Sequence, residues 1–398
     1  MNLVVIHLMD PLRPSLGGAV RHVLYLLKYF LERGYKITFI GTQDDKNYPP
    51  DKLLYEYYKS RKLSIIYLSR GYGVFKFFIG LVVASIMLDI SPETIIHFHQ
   101  PYFILPFILH RKCKLVLTLH ALPLHTLKIG HKFMFCFFKP IYKLLEFIIF
   151  KRCNIVIFAS KSLRKQYNKF NKAISLPGGI IDIELFKPIS DGIIKKELRS
   201  KLGLQAHEYI LLYVGRLEKV KRVGLLIEAV RFLIEMKLEH VKLIIIGEGN
   251  EMQNLIEKTR KLGLEKNVLF VGRVPPNEVV TFYNVADLLC LPSLIEVSPN
   301  VIKEAMAVGL PFITTVCTSE IKMFSSKNCG LILPSQINPQ IFAEVIRNYT
   351  NIITTRRREA SKKCRNLIRI YDYHIIMSLL EKIYLSMISQ NSATERLW

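Results

Sequence analysis

No Cys-x-x-Cys pair, no Asp-x-Asp triplet and no group of His, Cys and carboxylate side chains at metal-ligand spacing occurs in this sequence. These absences argue against a zinc site and against a carboxylate-held divalent cation, so no metal and no cofactor are expected. The seven cysteines (Cys113, Cys136, Cys153, Cys290, Cys317, Cys329, Cys364) are odd in number and scattered. That spacing predicts no disulfide framework and a reducing, cytoplasmic setting. The apolar run from Phe77 to Leu88, closed by Lys76 and Asp89, is too short to cross a bilayer. The opening NLVVIHLM carries neither a basic lead-in nor a small-residue cleavage site, so no secretory signal is expected. Gly-x-Gly-x-x-Gly is missing after the first strand, which counts against a nicotinamide oxidoreductase. Internal repeats and low-complexity segments are also lacking.

Negative charge is scarce: 32 Asp and Glu stand against 56 Lys and Arg, giving +24 at pH 7. Such a balance selects anionic partners, whether nucleic acid, anionic lipid or phosphorylated substrates. No DNA or RNA recognition motif accompanies the charge, which weakens the nucleic-acid reading. With 398 residues, half of them hydrophobic, the chain is long enough for two domains.

Short apolar runs alternate with helix-like segments along the whole chain. Asn2–Leu8, Ile37–Ile40, Ser64–Leu68, Thr94–Phe98, Lys114–Leu119, Asn154–Phe158 and Ala173–Leu176 read as strands, followed later by Tyr209–Val214, Val241–Ile246, Val268–Val271, Asp287–Leu291, Phe312–Val316 and Gly330–Leu333. This is βαβ alternation and predicts parallel sheets. Gly17-Gly18 opens a helix after the first strand, where backbone amides can approach a phosphate. LPGGIIDIELFKP, from Leu176 to Pro188, has the composition of a linker. After it, three strands run into glycine turns at Gly215-Arg216, Gly247-Glu248-Gly249 and Gly272-Arg273-Val274, and Lys221 precedes an amphipathic helix.

The densest chemistry lies in ADLLCLPSLIEVSPNVIKEAMAVGLP, Ala286 to Pro311. A strand ends at Pro292, a loop carries Glu296, and a helix from Asn300 to Val308 carries Glu304. Ligands of open α/β sheets bind at such strand ends. Glu-x7-Glu followed by Ala-Met-Ala-x-Gly-x-Pro resembles the signature of the family-4 retaining glycosyltransferases (glycosyltransferase group 1 type) of GT-B fold, and VGRLEKVK, IIIGEGNEMQNL and VLFVGRVPPNEV are similar to further segments of that family.

The resemblance implies two Rossmann-like α/β domains with parallel sheets facing across a deep cleft. The acceptor-side domain would cover residues 1–186, completed by a C-terminal helix over 371–398, and the nucleotide-sugar domain residues 187–370. It implies that Glu296 contacts the donor sugar, that Glu304 holds the ribose, and that Arg216 and Lys221 bind the diphosphate. His120, after the fifth strand, would lie beside the sugar. Gly17, Gly18, Gly215, Gly249, Arg273, Val274, Ser298, Asn300 and Val301 complete the expected donor contacts. The implied activity is transfer of a hexose, with retention and without metal, from a nucleotide-diphosphate sugar to a lipid-linked glycan, glycolipid or polysaccharide precursor. A sugar-nucleotide epimerase of the same fold is the alternative, since fold does not fix chemistry. KFMFCFFKPIYKLLEFIIFKR (Lys132 to Arg152) mixes aromatic and basic residues in the manner of a segment touching an anionic membrane, at the inner face of the cell membrane; a core helix is the competing reading.

Overall fold

A computed structural model describes residues 1–14, 18–44, 50–71, 73–120, 132–167, 170, 172–189, 191–296, 298–316 and 318–394; for 132–139, 162, 276, 350–361 and 390–394 the description covers the backbone alone. The chain forms two compact units, Met1–Ile180 with Tyr373–Trp398, and Ile181–Asp372.

In the first unit the order is β1 (Asn2–Ile6), α1 (Gly18–Glu32), β2 (Ile37–Gln43), α2 (Lys52–Lys59), β3 (Leu63–Arg70), α3 (Val74–Met87), β4 (Thr94–Phe98), a 3-10 turn over Pro101–Phe107, β5 (Lys114–Leu119), α4 (Lys132–Arg152), β6 (Ile155–Phe158), α5 (Lys161–Lys165) and β7 (Ala173–Ser175). The seven strands lie in the order β3-β2-β1-β4-β5-β6-β7 and every pair is parallel. Leu3, Val5, Ile95, Val116 and Ile157 face a core built with Val23, Leu26, Leu27 and Phe30 of α1. Their near-continuous apolar runs are what a sheet covered on both faces requires.

In the second unit α6 (Gly192–Lys201), β8 (Tyr209–Val214), α7 (Val223–Glu235), β9 (Val241–Ile246), α8 (Met252–Lys261), β10 (Val268–Gly272), α9 (Pro276–Val285), β11 (Leu288–Leu291), α10 (Asn300–Ala307), β12 (Phe312–Thr314), α11 (Ser319–Ser326), β13 (Gly330–Ile332) and α12 (Pro339–Ile368) follow. The sheet order is β10-β9-β8-β11-β12-β13, again parallel throughout. α13 (Tyr373–Thr394) then returns to the first unit, where Tyr373, Ile376, Met377, Leu380 and Tyr384 join the core beside α1.

The segment following Ile180 packs into the second unit, although the linker reading placed it in the first: Ile181, Ile183 and Phe186 are buried in the second core. The chain enters and leaves that unit side by side, Ile181 N donating to Tyr371 O at 3.0 Å. Cysteine pairing also departs from expectation. Cys329, just before β13, is disulfide-bonded to Cys364 of α12, with Cα atoms 5.7 Å apart. The two stand 35 residues apart in sequence, so no local spacing announced a pair that the fold brings together.

Candidate functional site

The carboxyl ends of β8, β9 and β10 are stitched to one another by their backbones. Gly215 N donates to Ile246 O at 3.0 Å, Gly247 N to Gly272 O at 2.8 Å and Leu217 N to Glu248 O at 2.9 Å. Contacts this close need glycine: a Cβ at Gly247 would lie 1.8 Å from Gly215 O, and one at Gly249 would lie 2.2 Å from Leu217 O. Gly247 also holds φ at +138°, outside the ordinary range of L residues. Arg273 and Val274 follow β10 half-buried in the same layer of turns.

Arg216, after Gly215, is exposed and paired with Glu218 at 2.6 Å. Tyr213 lies beneath it and donates its hydroxyl to Arg216 O at 2.9 Å. Burial first, then the charges of Glu296 and Glu218, push the Tyr213 hydroxyl pKa up, which keeps it a donor. Lys221 forms a 2.5 Å ion pair with Glu296, both largely shielded. The structure therefore brings together two residues that the sequence reading held in separate roles. Their loops are also joined by the backbone, Leu294 N to Val220 O at 2.9 Å.

Sequence reasoning passed over Arg222. Arg222 adopts a left-handed conformation at φ +50° at the N-cap position before α7, with no side-chain cap to the helix. Its guanidinium donates to Pro292 O at 2.8 Å, Ser335 O at 2.5 Å and Thr315 Oγ1 at 3.1 Å. The Arg222 side chain thus clamps the end of β11 against the loop carrying Lys221. Nothing in the Lys-Val-Lys-Arg run marks it, and only its partners set it apart.

Past β11, α10 begins at Asn300 behind Pro299, which supplies no side-chain cap. The first amides of a helix have no intrahelical acceptor and carry its positive dipole end. Asn300 is buried, and neither its Oδ1 nor its Nδ2 has a partner. Val301 follows it half-buried. Ser298 donates to Glu320 at 2.9 Å and accepts from Lys303 at 2.6 Å. Glu304 is fully buried and accepts from the Tyr283 hydroxyl of α9 at 2.7 Å. Tyr283 was also not anticipated; it lies beyond the motif and reaches Glu304 only through the fold.

In the first unit Gly18 is the exposed first residue of α1, with open space where a Cβ would stand, and Gly17 lies outside the described residues. His120, at the end of β5, sits in a group of five imidazoles. Its Nε2 is 3.1 Å from His99 Nδ1, and its ring stacks on His99 and meets His22 edge-on. His99 stacks on His97, which bonds Thr118 Oγ1 at 2.7 Å and the Tyr384 hydroxyl at 2.5 Å. His7 meets His99 edge-on. Burial, reinforced by the neighbouring imidazoles, holds His7 and His97 down at about 3, and burial holds His120 at about 4. His22 and His99 are lowered well below 6.5 for the same reasons. All five are neutral at pH 7. His7 and His22 escaped the sequence reading because no motif links them. Among the described residues no group of three His, Cys, Asp or Glu side chains is arranged to hold a metal ion.

Residues 194–366 match the family described as glycosyl transferases group 1, and residues 16–178 match glycosyltransferase family 4. The D-inositol 3-phosphate glycosyltransferase of Corynebacterium glutamicum is 28% identical over 50% of this chain and 48% of its own length. The alpha-monoglucosyldiacylglycerol synthase of Streptococcus pneumoniae is 32% identical over 30% of this chain and 26% of its own. The chain spans about half the length of the first curated relatives it matches. Among solved structures, Anabaena Alr3699/HepE in complex with UDP-glucose aligns with a TM-score of 0.70 at 17% identity, covering 97% of this chain and all of its own. With both halves matched in sequence and both parallel sheets matched in fold, the chain belongs to the group 1, family 4 glycosyltransferases of GT-B fold.

Proposed function

We propose that this chain moves a hexose, with retention, from a nucleotide-diphosphate sugar to a glycan or glycolipid acceptor. The observation that carries the reading is the start of α10: an uncapped helix N-terminus, a buried Asn300 with both amide atoms unpartnered, and the Lys221–Glu296 pair close by along the chain. Unpaired buried donors are costly, and an anion at a helix N-terminus relieves them. A diphosphate fits that chemistry, with Asn300 and Val301 at its oxygens and Arg216 and Lys221 supplying cations. In this reading Glu296 holds the sugar hydroxyls and Glu304 the ribose. Gly215, Gly249, Arg273 and Val274 line the nucleotide, Ser298 holds the loop beside the phosphates, and Gly17, Gly18 and His120 keep the donor contacts that the family resemblance gives them.

The bond from the anomeric carbon to the diphosphate oxygen breaks as the bond to the acceptor oxygen forms on the same face. The acceptor's proton passes to the departing diphosphate. Charge grows on that diphosphate, so preorganised cations and amides act where the transition state needs them. The same cations make the proposed reaction independent of a divalent metal. Thermal protection and slow donor hydrolysis across a panel of nucleotide sugars, led by UDP-glucose and run in excess EDTA, test the whole reading. Protection and turnover in EDTA are expected; turnover that returns only with Mg²⁺ or Mn²⁺ refutes the metal-independent part, and no protection by any donor refutes the rest.

The acceptor side has a surface that suits a lipid partner. Along α4, Ile141, Leu144, Leu145 and Ile148 are exposed at helical spacing, beside the exposed Lys143 and Lys151. α3 buries Phe77, Leu81 and Ala84 but exposes a second apolar stripe of Phe75, Ile79, Val82, Val83 and Ile86. Both helices pack on the 3-10 turn at Pro101–Phe107, and Leu109 beyond it is 88% exposed, followed by Arg111 and Lys112. Apolar stripes edged by cations match the interface of an anionic membrane. No helix among the described residues is long and apolar enough to cross one.

A further inference from the structure

Lys303 is an unexpected residue in NVIKEAMAV, because its ammonium-bearing side chain is entirely buried in a helix that also buries Asn300 and Glu304. An ammonium group in that position is costly unless fully paired, and leucine would fill the space without charge. The pairing is complete. Lys303 Nζ lies 2.6 Å from Ser298 Oγ, 2.9 Å from Glu320 Oε2, and 4.9 Å above the ring of Tyr371. Ser298 Oγ in turn donates to the same Glu320 oxygen at 2.9 Å. Glu320 stands in the first turn of α11, whose N-cap Thr318 leaves it pointing back at the loop. Burial lowers the Lys303 pKa, and the Glu320 charge and hydrogen bond oppose that shift.

These contacts converge on one point of the chain, the loop between Glu296 and Glu304. Of the described residues of that loop, Ser298 has a hydroxyl tied to both charged partners, and Lys303 is the neighbour of Glu304 on α10. The arrangement lets one buried cation fix the distance between the loop bearing the first glutamate and the helix bearing the second. We propose that Lys303 and Glu320 are positioning residues for the donor-sugar end of the site, acting through Ser298 to hold the Glu296 loop in register with α10. The proposal rests on the reading of that site as the nucleotide-sugar site. Neither residue is required to touch the donor.

The test separates positioning from mere stability. In Lys303→Met, Glu320 keeps the Ser298 hydroxyl but loses its counter-ion, which lowers the melting temperature and slows UDP-glucose hydrolysis. In the double variant Lys303→Leu, Glu320→Leu no buried charge is left alone, so the melting temperature recovers to the wild-type value or above. Ser298 nevertheless has no partner there. Amide exchange across residues 294–300 quickens, and UDP-glucose hydrolysis stays down by roughly 10- to 100-fold, the scale of a displaced catalytic geometry. UDP affinity changes little, because Glu304 keeps its Tyr283 partner. Glu320→Gln provides a second arm: its amide oxygen still accepts from Ser298 and Lys303, so hydrolysis is expected to exceed that of Lys303→Met at equal or lower stability. Recovery of both exchange protection and hydrolysis in the double variant overturns the proposal. Should that variant fail to fold, hydrolysis that merely follows melting temperature through Lys303→Met and Glu320→Gln overturns it as well. If wild type binds no nucleotide, the functional reading has failed, and amide exchange across 294–300 still decides the role of Lys303.

Discussion

Mild acid should unfold the first unit, and the histidine group sets the size of the effect. His7 and His97 are buried and held at about 3, against 6.5 when exposed to water. Their folded pKa lies below the unfolded one, so the unfolded chain binds more protons throughout the interval between them. Stability from these two groups is fully present above about pH 6.5 and is lost as pH falls toward 3. One pKa unit corresponds to about 1.4 kcal/mol, so at pH 5 each group has lost roughly 2 kcal/mol and the two together roughly 4 kcal/mol. That is a large part of the 5–15 kcal/mol that holds an ordinary domain together. His22 and His99 are shifted in the same direction and add to the loss. Urea unfolding followed by circular dichroism at pH 5, 6, 7 and 8 gives the proton uptake from the slope of stability against pH. An uptake of at least two protons near pH 5.5 is expected, falling to near zero above pH 7.5. His22→Phe, which removes an imidazole with no partner at either nitrogen, should lower the uptake by about one proton. An uptake below one proton between pH 5 and 6 would refute the burial argument.

Arg216→Ala and Lys221→Ala should each slow turnover by roughly 10²-fold while changing donor affinity far less, as expected of charge used mainly when the diphosphate departs; near-normal steady-state rates for both would misplace the diphosphate. Wild type should float with liposomes of anionic lipid at low salt, and a triple variant with Ile79, Ile86 and Leu144 changed to Asp should not; if neither floats, the α3 and α4 faces do not meet membrane, and if wild type dimerises instead, they meet a second copy. Reduction of Cys329–Cys364 should destabilise the second unit by about 2–4 kcal/mol through the released loop, read as a drop in its calorimetric transition with dithiothreitol, and Cys329→Ser should abolish that drop.

Much of the architecture could be read from the chain because parallel strands are buried on both faces and leave short, continuous apolar runs. Thr94–Phe98, Lys114–Leu119, Tyr209–Val214 and Val241–Ile246 have the same limits in the sequence reading and in the structure. The helix at Gly18 follows from glycine, whereas the return of the last helix to the first unit was expected from Tyr371 only through the family resemblance and begins at Tyr373. Partnership was harder to read. That Lys221 pairs with Glu296, that Tyr283 meets Glu304, or that five histidines share one edge depends on which strands are neighbours, and sheet order is not written in local periodicity. Buried charge was the least legible feature. Lys303 and Arg222 belong to no motif in the sequence, and their roles appear only with their acceptors: Glu320 and Ser298 for one, Pro292 and Ser335 carbonyls for the other.

Calorimetric titration of UDP into wild type, Glu304→Gln and Glu296→Ala tests the central claim most directly. Glutamine keeps an acceptor for Tyr283 but removes the charge that would hold the ribose, so UDP affinity should fall about tenfold, or roughly 1.4 kcal/mol. Glu296→Ala should bind UDP nearly as wild type does and lose UDP-glucose hydrolysis, because its contact is with the sugar. Wild-type affinity for UDP in Glu304→Gln, or an equal loss of UDP affinity in both variants, would contradict the assignment of the two glutamates and with it the site at the start of α10.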